Sequence, residues 1–263
     1  MLEYLPIGEH TLKKYEVYRT VFPIWVEKMK SASSSVYYID LTAGPGLSKV
    51  EETGLVVEGS PMIALDTHPP FAKLTFVEKV PERSRVLRLR LSQHINQGFC
   101  AVFNEDSCRI EVIATYCREF LEGFDELPCL VCIDPDGPSD VSWSLYEYWL
   151  RRSNCDLILT YPPPLTQRSW GKYSGRYYVR GYHRALPKNC WEISPSTNDN
   201  ISVELIKCSE ETIRSYGCYV VRLRVVQGPV GNILYAILFV THNRQLAQEI
   251  DEIAGNKCWG RKL

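Results

Sequence analysis

Apolar positions along the chain follow two rhythms, one helical and one extended, and they alternate. Between residues 9 and 30 the apolar groups Leu12, Tyr15, Tyr18, Phe22, Trp25, Val26 and Met29 recur at helical spacing, with Pro23 expected to bend or divide the segment. A compact β-type run, Val36 to Ile39, then meets an acid at Asp40 and breaks into the turn Thr42-Ala43-Gly44-Pro45-Gly46. Residues 49–59 are polar and contain glycine, which predicts a loop; Ser60 and Pro61 then open a short helix as cap and first helical residue. Leu74–Glu78 reads as a second strand, Pro81 to about Gln97 as a helix, and Phe99–Asn104 as a third strand. A helix follows over Ser107–Leu121, then a fourth strand at Cys129–Ile133. Ser139 is the expected cap of a helix carrying Trp143, Tyr146, Trp149 and Leu150, and Asp156–Tyr161 makes a fifth strand.

Strand and helix alternate five times, which predicts an α/β fold with a doubly wound, mostly parallel sheet. The end of the chain breaks the pattern. Tyr219–Val226 and Ile233–Thr241 are joined only by Gln-Gly-Pro-Val-Gly-Asn, too short for a crossover helix, so these two strands form an antiparallel hairpin. One domain over residues 1–263 is expected, with an N-terminal helical extension at 1–35 and an insertion at 162–192 after the fifth strand.

Composition narrows the class. Hydrophobic residues make up 45% of 263, enough for a sizeable core, and a formal net charge of −1 provides no global attraction to nucleic acid or membrane. The N-terminus has neither the basic nor the apolar region of a signal peptide, and the longest apolar run, Ile233–Val240, is far below the roughly 20 residues of a membrane span. A cytoplasmic protein is expected, with its ten cysteines reduced. The pair Cys129 and Cys132 lies three apart on a strand, so the sulfurs point to opposite faces, and neither they nor the five histidines have metal-ligand spacing.

The chemistry gathers at strand ends. Gly44 and Gly46 lack a Cβ and so let a ligand approach the backbone, while the first four strands all finish in acids: Asp40, Glu78, Glu105-Asp106 and Asp134. In a parallel sheet these termini share one rim, and clustered carboxylates there point to a ligand. The run Asp-x-Thr-Ala-Gly-x-Gly-x-Ser from Asp40 resembles motif I of class I S-adenosylmethionine-dependent methyltransferases; Lys49 stands where a dinucleotide fingerprint would carry its third glycine. The resemblance implies S-adenosyl-L-methionine as cofactor. Thr42, Ala43, Gly44 and Gly46 would face its amino-acid end, and Asp40 would help orient the ammonium. Glu78 would accept from both ribose hydroxyls, Asp106 from the adenine amine, and Asp134 would lie beside the methyl group.

A narrower likeness covers residues 10–140. His10-Thr-Leu-Lys-Lys-Tyr, Tyr38-Ile-Asp-Leu-Thr-Ala-Gly-Pro-Gly, Gly59-Ser-Pro-Met-Ile-Ala-Leu, Phe76-Val-Glu and Ile133-Asp-Pro-Asp-Gly resemble the three-Cys-motif partner family, which is itself methyltransferase-like. That family carries Asp-Pro-Phe-Gly where this chain has Asp134-Pro135-Asp136-Gly137, so an expected aromatic is missing. The Asp-Pro-x-Gly form is also similar to tRNA N2-guanine dimethyltransferases. Asp134, Pro135 and Asp136 are therefore the candidate catalytic residues, binding an exocyclic amine.

A second feature follows the fifth strand. Arg168, Lys172, Arg176, Arg180, Arg184 and Lys188 recur every four residues among six aromatics, with no acid from Leu157 to Trp191. Basic groups interleaved with aromatics suit phosphate contacts and base stacking, although the same spacing would serve a solvated helix. The expected activity is methyl transfer to nucleic acid, RNA before DNA. A catalytically inactive cofactor- or nucleic-acid-binding partner protein and a small-molecule or protein methyltransferase are the alternatives.

Overall fold

A computed structural model describes residues 4–137, 140–161, 184–190, 201–227 and 233–255. They fall into two compact units, Met1–Ile133 with Asn154–Asp156, and Asp134–Ser153 with Leu157–Leu263.

The first unit is built on four parallel strands, β2 (Tyr37–Asp40), β5 (Lys73–Val77), β6 (Cys100–Phe103) and β7 (Cys129–Ile133). They lie in the order β6-β5-β2-β7, so the chain starts in the middle, moves out one way through β5 and β6, and returns to the other side of β2. The reversal between β2 and β7 is the switch point at which open α/β sheets leave a crevice outside the strand ends. The register sets Tyr38 beside Leu74 and Leu130, and Ile39 beside Thr75 and Val131, all of them buried. All of β2 and β7 is buried, which explains why both read as unbroken apolar runs.

Helix α1 (Leu12–Lys30) packs its Tyr18, Phe22 and Trp25 into an aromatic cluster with Tyr38 and Phe71. The helix is continuous through Pro23, so the proline does not divide it. Phe22, Trp25 and Val26 are fully buried on either side of the proline, and that packing outweighs the roughly 3 kcal/mol such a residue costs inside a helix. Trp25 is further fixed by its indole N–H, which donates to Asp156 Oδ2 at 2.7 Å.

Residues 49–59 depart from the loop reading. Strand β3 (Leu47–Val50) pairs antiparallel with β4 (Val56–Glu58) and parallel with β1 (Leu5–Ile7), forming a separate three-stranded sheet. These strands are short and half polar, so no period-2 signal marks them. Two helix starts also differ. Gly59, not Ser60, precedes α2 (Ser60–Leu65), with Ser60 buried in the first turn. Position 139 lies outside the described residues, and α6 (Trp143–Leu150) is capped by Ser142, whose hydroxyl accepts from Leu145 N. The helix after β5 is broken at Leu91 into α3 (Pro81–Arg90) and α4 (Ser92–Asn96), while α5 (Ile110–Phe120) is continuous.

The second unit contains the rest of β8 (Cys155–Tyr161), β9 (Tyr219–Gln227) and β10 (Ile233–Thr241) in the order β8-β10-β9, antiparallel throughout, with the expected C-terminal hairpin. Helix α7 (Ile201–Ser215) and helix α8 (Arg244–Ile250) complete it. Three consecutive α7 residues each hold a different segment. Cys208 is disulfide-bonded to Cys190, Ser209 Oγ donates to Tyr161 Oη at 2.6 Å, and Glu210 accepts from Arg214 and Arg222. The disulfide corrects the expectation that every cysteine is a free thiol. Residues 18 apart in sequence meet because the turn Lys188–Cys190 folds back on α7, a proximity that spacing alone does not show. Among the described residues no helix is long and apolar enough to cross a membrane.

Candidate functional site

The termini of β2, β5 and β6 are joined by a ladder of hydrogen bonds. Ala43 N donates to Val77 O, Glu78 N to Phe103 O, and the Asn104 side-chain amide to Glu78 O at 2.8 Å. On the other flank Leu41 N donates to Cys132 O. The chain therefore leaves four parallel strands on one rim with the glycine turn at its centre.

Glu78 organises that rim. Its carboxylate is buried; Oε2 accepts from Gly44 N at 2.8 Å and Oε1 from Val80 N at 2.7 Å. The acid after the second strand thus holds the turn after the first, and backbone donors to a carboxylate are among the stronger hydrogen bonds. Asp40 is fully buried and also faces its own chain: Oδ1 accepts from Thr42 N at 3.0 Å and Oδ2 from the Tyr38 hydroxyl at 3.2 Å. Burial first, then the adjacent Asp40 charge, pushes the Tyr38 phenol well above its ordinary range, so it remains a donor at any working pH. Asp106 is exposed on the β6 side, with Oδ1 accepting from Cys108 N.

The two glycines differ. Gly44 is buried with φ +65°, and a Cβ there would make an ordinary van der Waals contact with Leu5 Cδ2 at 3.7 Å, so the turn is uncrowded at this point. Gly46, with φ +90°, faces the protein instead: a Cβ would stand 3.0 Å from Leu87 Cδ1 and 3.6 Å from Met62 Sδ. The expectation that Gly46 clears space for a ligand is not met, because α2 and α3 fill that space. Gly46→Ala is expected to lower stability by about 2–3 kcal/mol, combining left-handed strain with crowding against Leu87. Urea unfolding of Gly46→Ala in wild-type and Leu87→Ala backgrounds checks this, since the shorter side chain should relieve the crowding part.

Arg90, which no motif marked, lies on the same turn. Its Nη1 donates to Pro45 O at 2.5 Å, and its guanidinium stands 5.3 Å from the Tyr4 ring centre. Tyr38 and Asn104 were also missed. Tyr38 lies two residues before Asp40 on a strand, hence on the same face, and that spacing was readable. Nothing in the sequence marks Asn104 or Arg90.

In the second unit Asp134 is half-buried, Pro135 is buried and Asp136 is exposed. The Tyr235 phenol of β10 is buried, and its pKa is raised by that burial and then by the Asp134 charge. In the sequence Tyr235 is marked only as a strand residue. Of the basic series, Arg168, Lys172, Arg176 and Arg180 lie outside the described residues, while Arg184 and Lys188 are described and exposed. No group of three or more His, Cys, Asp or Glu placed to hold a metal occurs among the described residues.

No family model and no curated protein matches the chain. Solved structures do. A Legionella pneumophila protein shares 12% identity over 90% of this chain and 93% of its own, with a TM-score of 0.45. M. jannaschii TYW2 in complex with AdoMet shares 9% over 89% and 76%, with a TM-score of 0.40. The methyltransferase domain of bacterial CtHen1 shares 13% over 86% and 99%, with a TM-score of 0.42. The likeness is one of overall fold, an α/β sheet that is mostly parallel, and the functional reading below rests on this chain's own residues.

Proposed function

We propose that the chain is a class I methyltransferase-like protein, akin to the three-Cys-motif partner family. It binds S-adenosyl-L-methionine on the β2–β5–β6 rim and methylates an exocyclic amine of nucleic acid, RNA in preference to DNA. One observation carries the cofactor reading. A buried carboxylate at the end of the second strand is aimed by Gly44 N–H at a glycine turn that is uncrowded at Gly44. A buried acid has to be compensated, and here it holds the turn after β2, a strand that borders the switch point of the parallel sheet, where ligands bind.

The residues fit the group. Glu78 would accept hydrogen bonds from the ribose hydroxyls, with its two backbone donors fixing the carboxylate plane. Gly44 would let the amino-acid end lie against the turn. Asp40 acts at one remove: it holds Thr42 N and thereby the turn's shape, with Tyr38 holding Asp40. Thr42 and Ala43 would line the turn, Gly46 sets its path, and exposed Asp106 would accept from the adenine amine. Bound S-adenosylmethionine would supply an electrophilic methyl group. For the acceptor, Asp134 would take a hydrogen bond from the amine and orient its nitrogen lone pair, with the Pro135 carbonyl as a second acceptor and Tyr235 beside Asp134. Arg168, Lys172, Arg176, Arg180 and Arg184 would contact phosphates.

A binding protein without turnover is the second reading, favoured by one feature: an exposed carboxylate, Asp136, stands where the related motif carries a ring to stack on a base. Titration calorimetry with S-adenosylmethionine and S-adenosylhomocysteine, followed by radiolabelled methyl transfer to RNA, DNA and protein pools, separates the readings. Binding with label in RNA is expected. Binding without transfer to any pool would favour the non-catalytic protein, label in protein alone would remove nucleic acid as the substrate, and no heat from either ligand would end the cofactor assignment. Arg176→Ala and Arg180→Ala should each weaken RNA binding across sequences and reduce the salt slope by about 1.

A further inference from the structure

We infer that the Cys190–Cys208 disulfide is a thiol-exchangeable clasp that fastens the turn Lys188–Cys190 to helix α7. The two sulfurs are placed unequally. Cys190 is buried, with Sγ 3.8 Å from Ser209 Oγ, whereas Cys208 is only half-buried on α7. An incoming thiolate therefore reaches Cys208. It forms a mixed disulfide with Cys208 Sγ, the Cys190–Cys208 bond breaks, and Cys190 leaves as a thiolate and takes up a proton. A second thiol attacks the mixed disulfide and releases Cys208. The net change is one protein disulfide and two small thiols giving two protein thiols and one small disulfide.

What remains after reduction is noncovalent. The Asn189 amide donates to Thr212 Oγ1 at 2.9 Å, and that hydroxyl is 3.2 Å from Asn189 Oδ1. Upstream, Ala185, Leu186 and Pro187 are buried and keep their place, while Lys188 and Asn189 are exposed, with the Asn189 amide held by Thr212 Oγ1 and by Cys208 Sγ at 3.6 Å. The same α7 turn also holds Tyr161 through Ser209, so the two chain positions flanking residues 162–189 are tied to neighbouring residues of one helix. Only one of those ties is covalent, and it is the one a thiol can open. The clasp is independent of the cofactor and of the nucleic-acid reading.

The test is tryptic cleavage after Lys188 in the native full-length protein, followed by mass spectrometry, with and without dithiothreitol. Oxidised protein should lose two thiols to the bond on maleimide counting, and reduction should speed cleavage after Lys188 at least tenfold while cleavage after Arg85 stays unchanged. Cys208→Ser should be cleaved quickly in either buffer. Because that variant could also be destabilised as a whole, reduction of the wild type, with circular dichroism showing retained structure, is the deciding arm. Equal cleavage rates in oxidised and reduced wild type, all thiols free without reductant, or resistance of the bond to dithiothreitol in the folded protein would each overturn the clasp.

Discussion

Glu78→Ala is expected to cost about 2–4 kcal/mol of stability and to abolish detectable S-adenosylmethionine binding. The stability loss comes from two backbone donors. Gly44 N–H is buried and would lose its acceptor, a deficit of about 1–3 kcal/mol, whereas Val80 N–H is partly exposed and can turn to water. The binding loss has a separate cause: without the carboxylate, neither the proposed ribose acceptor nor the tether on the glycine turn survives. Glu78→Gln divides the two effects. A carboxamide has one acceptor oxygen, so it can keep one backbone bond but not both, and it should recover roughly half the stability with little of the binding. Urea unfolding and calorimetry on the same preparations provide the check. If Glu78→Ala unfolds earlier yet binds the cofactor as tightly as the wild type, Glu78 is a structural brace and the ribose assignment fails.

Glu210→Ala is expected to be comparably severe, about 3 kcal/mol, for a reason unrelated to any ligand. The Glu210 side chain is 7% exposed, and its Oε1 lies 2.8 Å from Arg222 Nε and 2.7 Å from Arg222 Nη2, while Oε2 lies 3.3 Å from Arg214. Arg222 is itself only 19% exposed, so removing the acid strands a guanidinium on β9 with little access to water. Breaking one side of a buried pair typically costs 3–5 kcal/mol; the lower end applies because Arg214, 48% exposed, can return to solvent. Replacing both partners, Glu210→Ala with Arg222→Met, should recover much of the loss, since an apolar pair leaves no stranded charge. A double-mutant cycle in urea measures this. Simple additivity of the two single losses would show that the ion pair is not what joins α7 to β9.

Much of the rim was readable in advance because it depends on strand order and local chemistry. Asp40, Glu78 and the 104–106 segment each follow an apolar run, and a parallel sheet has no choice but to bring such ends to one edge. The hairpin at 219–241 was equally legible, since a six-residue connection permits only antiparallel pairing. The roles of the two glycines were not legible. Gly44 and Gly46 look equivalent in the motif, yet one has room for a Cβ and the other lies against Leu87 of a helix more than 30 residues later.

By itself, then, the sequence determined the class of fold, the alternation of elements and which acids terminate strands. Hydrophobic period and connection length are local properties, written in neighbouring residues. Tertiary structure alone decided that Glu78 grips the turn at Gly44, that Tyr38 holds Asp40, that α1 continues through Pro23, and that Cys190 meets Cys208. Each of these depends on where distant segments pack, and the free energy that settles them comes from burial and satisfied polar groups, which no short window of sequence contains.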